Sequence, residues 1–229
     1  MTLPLSTCQP FAKGGNRLCF VHPEDPARCI KVRRPDFTLE DLRRAKGFPK
    51  NLRPLASFDD NQEEHRVMQA LHRRYGEVLY QHVSHCYGFV DTDLGPGLVS
   101  ELVRNDNGRI AYSLKQQLAE TGLSDDLNTA IDTFCAFWEW HCIPSRQLLT
   151  HNVVVQCDAN DRASRLVMID GLGDSTLIPG HWLPLSWQRK RYRQKTRQFH
   201  QRIDTFLTEL KAGKQPSEVG KLIHDGSQQ

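Results

Sequence analysis

The sequence predicts an α+β fold in two lobes, a β-rich N-lobe over residues 1–103 and an abbreviated helical C-lobe over 104–229. Strand-like segments with one long helix fill the first hundred residues, helices around a single hairpin fill the rest, and Asn105-Asp106-Asn107-Gly108 breaks the pattern between them. A chain of 229 residues suffices for one substantial core or two small lobes. With 38% hydrophobic and 25% charged residues and no low-complexity tract, the composition excludes a disordered or fibrous protein.

The elements follow in order. After Lys13-Gly14-Gly15-Asn16, the runs Leu18-Cys19-Phe20-Val21 and Arg28-Cys29-Ile30-Lys31-Val32 flank a turn at 22–26, which reads as a hairpin opened by glycines. Residues 34–58 hold three prolines and little periodicity, so a long irregular connection is expected there. A helix then starts near Asp59-Asp60 and stops around Gly76. Its stripe of Met68, Leu71 and Tyr75, continued one turn backwards, lands on Glu64, which puts a carboxylate on the inward face. Strands are expected near 80–89 and 97–103. Ser124 caps an amphipathic helix with Leu127, Ile131, Phe134 and Trp138 on its core stripe. The hairpin 153–156 and 166–169 brings Asn152 and Asp170 to its open end, because antiparallel pairing places the start of one strand beside the finish of the other. Tyr192, Phe199, Ile203, Phe206, Leu207 and Leu210 mark a last helix, and the polar tail after Gly213 is expected to fray.

Strand alternation directs Cys29 and Lys31 to one face and Ile30 and Val32 to the other. An inward Glu64 needs a cation, since a lone buried carboxylate is very unfavourable, and Lys31 is the candidate. A lysine held in this way can contact nucleotide phosphates, while Asn152 and Asp170 supply the hard oxygen ligands that Mg²⁺ prefers. Taken singly, each feature has an ordinary explanation as a turn or a surface pair. Their order along the chain, glycine turn, strand lysine, helix glutamate, then Asn, hairpin and Asp-Gly, is that of eukaryotic-type protein kinases.

The segments Cys19 to Val32 and Gly173-Asp174-Ser175-Thr176-Leu177-Ile178-Pro179, with Gly88-Phe89-Val90-Asp91-Thr92-Asp93-Leu94-Gly95-Pro96-Gly97 between them, resemble the bacterial YrbL family of PhoP regulatory network proteins. The resemblance implies a protein-kinase-like fold and a link to the PhoP network of Gram-negative bacteria. Mapped on the kinase pattern, Gly14 stands in the glycine-rich loop, with Ala12 and Arg17 where other glycines would be. Lys31 takes the phosphate-contacting position and Glu64 that of its helix partner. Glu101 to Val103 would be the hinge that meets adenine, with Glu101 and Val103 as backbone contacts and Ser100 guarding the space behind. Asn152 and Asp170 would hold Mg²⁺, the latter in the spelling Asp170-Gly171-Leu172. The implied activity is binding of ATP and Mg²⁺ in a cleft between the lobes, with an unconventional phosphotransfer to an unknown acceptor.

Departures from the pattern favour a second reading, a pseudokinase that regulates or binds a partner. Gln147 occupies the place of the aspartate that orients the acceptor hydroxyl, Leu149 that of a lysine, and no Ala-Pro-Glu segment follows. Positioning and charge neutralisation dominate phosphoryl transfer, so an amide there weakens transfer without forbidding it. His151 could be recruited as base, although a histidine beside a strand is more often structural.

The formal charge of +3 comes from one place. The stretch 181–202 holds seven basic residues and no acidic one, leaving 23 − 27 = −4 for the remainder. Residues 187–202 could meet an acidic protein or another anionic partner, but the plainer reading is the solvated face of an amphipathic helix, and no nucleic-acid-binding motif is present. His82, His85 and Cys86 lack an evident fourth metal ligand, and Ser6, Ser145 and Ser175 lack a nucleophile-elbow context. No apolar run nears the roughly 20 residues of a membrane span, Met1-Thr2-Leu3-Pro4 does not open a signal peptide, and seven scattered cysteines suit reduced thiols. A cytoplasmic location is therefore expected.

Overall fold

Five antiparallel strands in the order β1-β2-β3-β5-β4 organise the first part of the chain: β1 Ala12–Lys13, β2 Arg17–His22, β3 Asp25–Arg33, β4 Cys86–Thr92 and β5 Gly95–Glu101. They belong to a computed structural model that describes all residues except 1, 46, 49, 53, 174–183 and 227–229. Serine 175, the family-like segment beyond Gly173 and the first residues of the basic stretch thus lie outside the described residues. Contacts group the chain into two units. The first comprises Met1–Gly76, His85–Leu102 and Leu222–His224, and the second Glu77–Ser84, Val103–Lys221 and Asp225–Gln229.

In the first unit the alternation of β3 sorts its side chains as expected. Ile30 and Val32 join Phe20, Val99, Leu3 and Leu5 in one apolar cluster. Leu3 and Leu5 are held against the sheet because Leu3 N donates to Asp91 O at 2.9 Å and Leu5 N to Asp93 Oδ1 at 2.7 Å. Gly97 lets β5 approach this layer, since a Cβ there would lie 2.3 Å from Ile30 Cγ2.

The connection 34–58 is less irregular than its prolines suggest. It contains the helix α1, Leu39–Ala45, and two 3-10 turns, Lys50–Leu52 and Leu55–Phe58. Thr38 and Asp41 form a reciprocal cap, with Thr38 N donating to Asp41 Oδ2 at 3.0 Å and Asp41 N to Thr38 Oγ1 at 3.2 Å. Helix α2, Asp60–Tyr75, has Asp59 as its N-cap, and Gly76 at φ 60° ends it. Met68 and Leu71 are buried as the stripe requires. The expected strand from residue 80 is shorter at its start: Gly76–Gln81 wind into a 3-10 turn anchored by fully buried Leu79, and β4 begins only at Cys86.

The second unit holds α3 Leu114–Thr121, α4 Asp125–His141, the hairpin β6 Val153–Cys157 and β7 Ala163–Met168, and α5 Leu185–Lys211. Helix α3 forms in a stretch without a sequence reading, with Ser113 Oγ accepting from Gln116 N at 3.1 Å as its cap. The aromatic stripe of α4 is core. Phe134 stacks on Trp138 with ring centroids 4.7 Å apart and meets Phe199 of α5 at 5.8 Å. His82 is part of this core rather than a metal site, its edge on Phe134 at 5.6 Å and its Nδ1 2.8 Å from Leu166 O, and burial holds its pKa below the usual imidazole value.

The tail does not fray where it was expected to. Lys115 Nζ donates to Ser217 O at 2.6 Å and Val219 O at 3.0 Å, and Ser113 Oγ to Gly220 O at 2.6 Å. Further on, Ile223 N donates to Phe11 O at 2.7 Å and Asp225 O accepts from Ile110 N at 2.9 Å. Backbone groups that find partners in this way do not need water, which is why a polar composition misleads here. Among the described residues no helix is long and apolar enough to cross a membrane.

Candidate functional site

Lys31 and Glu64 meet as the sequence proposes. Strand β3 carries Lys31 to the face opposite its apolar cluster, α2 carries Glu64, and Lys31 Nζ lies 2.6 Å from Glu64 Oε1. Both are nearly buried, with side chains 7% and 13% exposed, so the charges are compensated by each other rather than by water. A second cation, absent from the sequence reading as a site residue, completes the group. Arg17 pairs with Glu64 through the other carboxylate oxygen and reaches Asn61 Oδ1 at 3.3 Å. Asn61 Nδ2 in turn donates to Lys31 O at 2.8 Å, and Asn16 bonds to Asp60. Continuing the α2 stripe three residues back from Glu64 reaches Asn61, so its inward place was legible; the role of Arg17 was not, because the kinase pattern has a glycine there.

Gly14 lies in the β1–β2 turn, where its N–H donates to Arg17 O at 2.9 Å. The turn opens on space, for a Cβ on Gly15 would meet nothing within 4 Å. Register pairs Lys31 with Leu98 and Cys29 with Ser100, so all four point to the same side of the sheet. Ser100 is 2% exposed, and its hydroxyl has no hydrogen-bond partner among the described residues. Burial pushes the Cys29 thiol up to about 12, although Lys31 opposes the shift. At Glu101 the backbone N–H donates to His85 O at 2.9 Å, while the Cys29 thiol lies 3.8 Å from its carbonyl oxygen. Val103 O accepts from Ala111 N at 3.0 Å in the second unit.

Asn152 and Asp170 come to one end of the β6–β7 hairpin, whose register pairs Val153 with Met168. Ile169 N donates to Asn152 O at 2.9 Å, and Asp170 Oδ1 accepts from Gly171 N at 2.6 Å. Glycine is required at 171, at φ 83°, because a Cβ would stand 2.8 Å from Asn152 Nδ2. An amide oxygen and a carboxylate in close company are the hard donors that suit Mg²⁺, so the residues present fit that ion. Gln147 is exposed and offers no basic group. Burial, with a smaller contribution from Lys115, keeps His151 below the ordinary imidazole value against the pull of Asp170. The Lys31 group and the Asn152–Asp170 pair belong to different units.

A five-stranded sheet with a helix glutamate seated on its third-strand lysine, and an Asn–Asp pair on a separate hairpin, define a protein of the α+β class. The chain belongs to the family described as PhoP regulatory network protein YrbL, whose sequence pattern matches residues 3–205. It is 25% identical over 179 residues to YrbL of Escherichia coli (strain K12), covering 76% of this chain and 75% of the relative. The Shigella flexneri YrbL matches to the same extent, 25% over 179 residues. Among solved structures, Rad53 1-466 in complex with AMP-PNP is similar at a TM-score of 0.46 and 14% identity over 72% of this chain, which spans 38% of that one.

Proposed function

We propose that the chain binds ATP together with Mg²⁺. The observation that carries this reading is the buried Lys31–Glu64 pair at 2.6 Å with Arg17 on the same carboxylate, which holds two cations beside an open glycine turn. Such cations serve a polyanionic phosphate chain. The partnerless Ser100 hydroxyl on the Lys31 side supports a ligand with a polar group there, because an orphaned buried hydroxyl is costly until something bonds to it. In this reading Lys31 contacts phosphates, Glu64 orients Lys31, Gly14 leaves room in the turn, and backbone groups of Glu101 and Val103 meet the base. Asn152 and Asp170 supply metal-ligand oxygens, and a bound Mg²⁺ would neutralise phosphate charge.

Turnover is the part on which two readings divide. Phosphotransfer to an unidentified acceptor would rest on positioning alone. The exposed amide of Gln147 favours a catalytically inactive pseudokinase, acting as a regulatory module in a PhoP-linked bacterial response. For that role the exposed Lys190, Arg193 and Arg197 of α5, beside a Trp187 that is 66% exposed, offer a face to an acidic protein.

Titration of ATP with and without Mg²⁺, on the wild type and on Asp170→Ala, tests the binding. Metal-dependent binding that Asp170→Ala weakens at least tenfold is expected, and an absence of binding under every metal condition overturns the proposal. A radiolabel-transfer assay on the same proteins then separates enzyme from regulatory module.

A further inference from the structure

A cavity lies within the helical unit. It is a cleft of about 640 Å³, a volume suited to a small molecule. Thr150 and His151 form one wall, α5 forms another, and the tail at Ser217 and Val219 closes a third. The tail wall is built in: Lys115 Nζ spans to Ser217 O, Ser217 Oγ at 2.6 Å and Val219 O, so its ammonium is used in holding the wall. Gly220 is pressed onto His151, since a Cβ there would lie 2.4 Å from His151 Cβ.

The lining is polar in a directed way. From α5 it presents Gln201, Arg202 and Thr205, with Phe206 as an apolar surface beside them. Arg202 makes one recorded bond, from NH1 to Leu148 O at 3.3 Å, which leaves most of its guanidinium donors unused by described residues. The one carboxylate of the lining, Glu209, is paired with Lys214 at 2.7 Å, so the positive charges of Arg202 and Lys115 prevail in the cleft. A planar fork of donors matches a carboxylate or a phosphate, while adjacent amides and hydroxyls match hydroxyl groups.

We infer that this cleft binds a small hydroxylated acid, with its single carboxylate or phosphate on Arg202 and its hydroxyls on Gln201, Thr150 and Thr205. Binding there does not depend on the nucleotide reading, because it is measured without nucleotide or metal. The probes are gluconate and glucose 6-phosphate, with glucose as the uncharged control, followed by calorimetry and by amide NMR shifts in 198–209. At least one acid is expected to bind saturably and at least tenfold more tightly than glucose, the preferred one telling carboxylate from phosphate. Arg202→Gln should abolish that preference. Thr205→Trp, a substitution at an exposed helix position that fills the cleft, should block binding without unfolding the chain. Neither acid exceeding glucose at 20 mM, or affinity unchanged in both variants, would overturn the inference.

Discussion

Glu64 is held by two cations, and this makes the consequences of mutation unequal. Lys31→Met leaves the carboxylate with Arg17, whereas Glu64→Ala removes the one carboxylate that both cations share. Breaking a buried pair in the second way costs about 3 kcal/mol, and Lys31→Met should cost about 1 kcal/mol or less while removing ATP affinity. Urea denaturation of both variants checks the order; equal losses would mean that Arg17 does not share the carboxylate. Asp93 gives a pH dependence of known sign. Hydrogen bonds from Ser6 and Leu5 hold its carboxyl below the usual carboxylate range. A depressed folded pKa means stability present above the unfolded pKa, near 4, and lost as pH falls through the lower folded value. Amide exchange at Leu5 should therefore accelerate below about pH 4 relative to the intrinsic rate, and Asp93→Asn should remove that step. At this scale the residues with a periodic or patterned partner, Lys31, Glu64, Asn152 and Asp170, were legible. Arg17 was not, because nothing in its neighbours marks it as more than a surface arginine on a short strand.

At the scale of elements, hydrophobic periodicity located α2, α4 and α5, all of at least 16 residues. The eight residues of α3 and the seven of α1 were not read as helices. Short helices depend on their caps more than on a stripe, and Thr38-Leu39-Glu40-Asp41 spells a capping pair that the surrounding prolines outweighed. Thr38→Ala should accordingly cost about 1 kcal/mol within α1 and leave α2 untouched, as hydrogen exchange resolved by segment would reveal. A general loss of protection in α2 would show that the two helices form a single cooperative piece. The strand expected from residue 80 failed for a different reason. Leu79 is buried in the second unit within the 3-10 turn, and an apolar residue in such a turn looks like a strand residue until its partners are known.

For the molecule as a whole, the least legible feature was the tail, whose order arises from residues more than a hundred positions away. Removing everything after Pro216 withdraws the acceptors of Lys115 and Ser113 and the carbonyl that holds Ile110 N. Protection of the Ile110 amide should fall at least tenfold, while the Phe134–Phe199 core keeps its protection; an unchanged Ile110 would show that Asp225 contributes nothing there. The same tail pairs Leu222 with Ala12 at the outer edge of β1. During synthesis that edge is made 222 − 12 = 210 positions before the residue that covers it. Over that interval the nascent chain carries an uncovered strand edge, and pairing with another chain competes with its own completion.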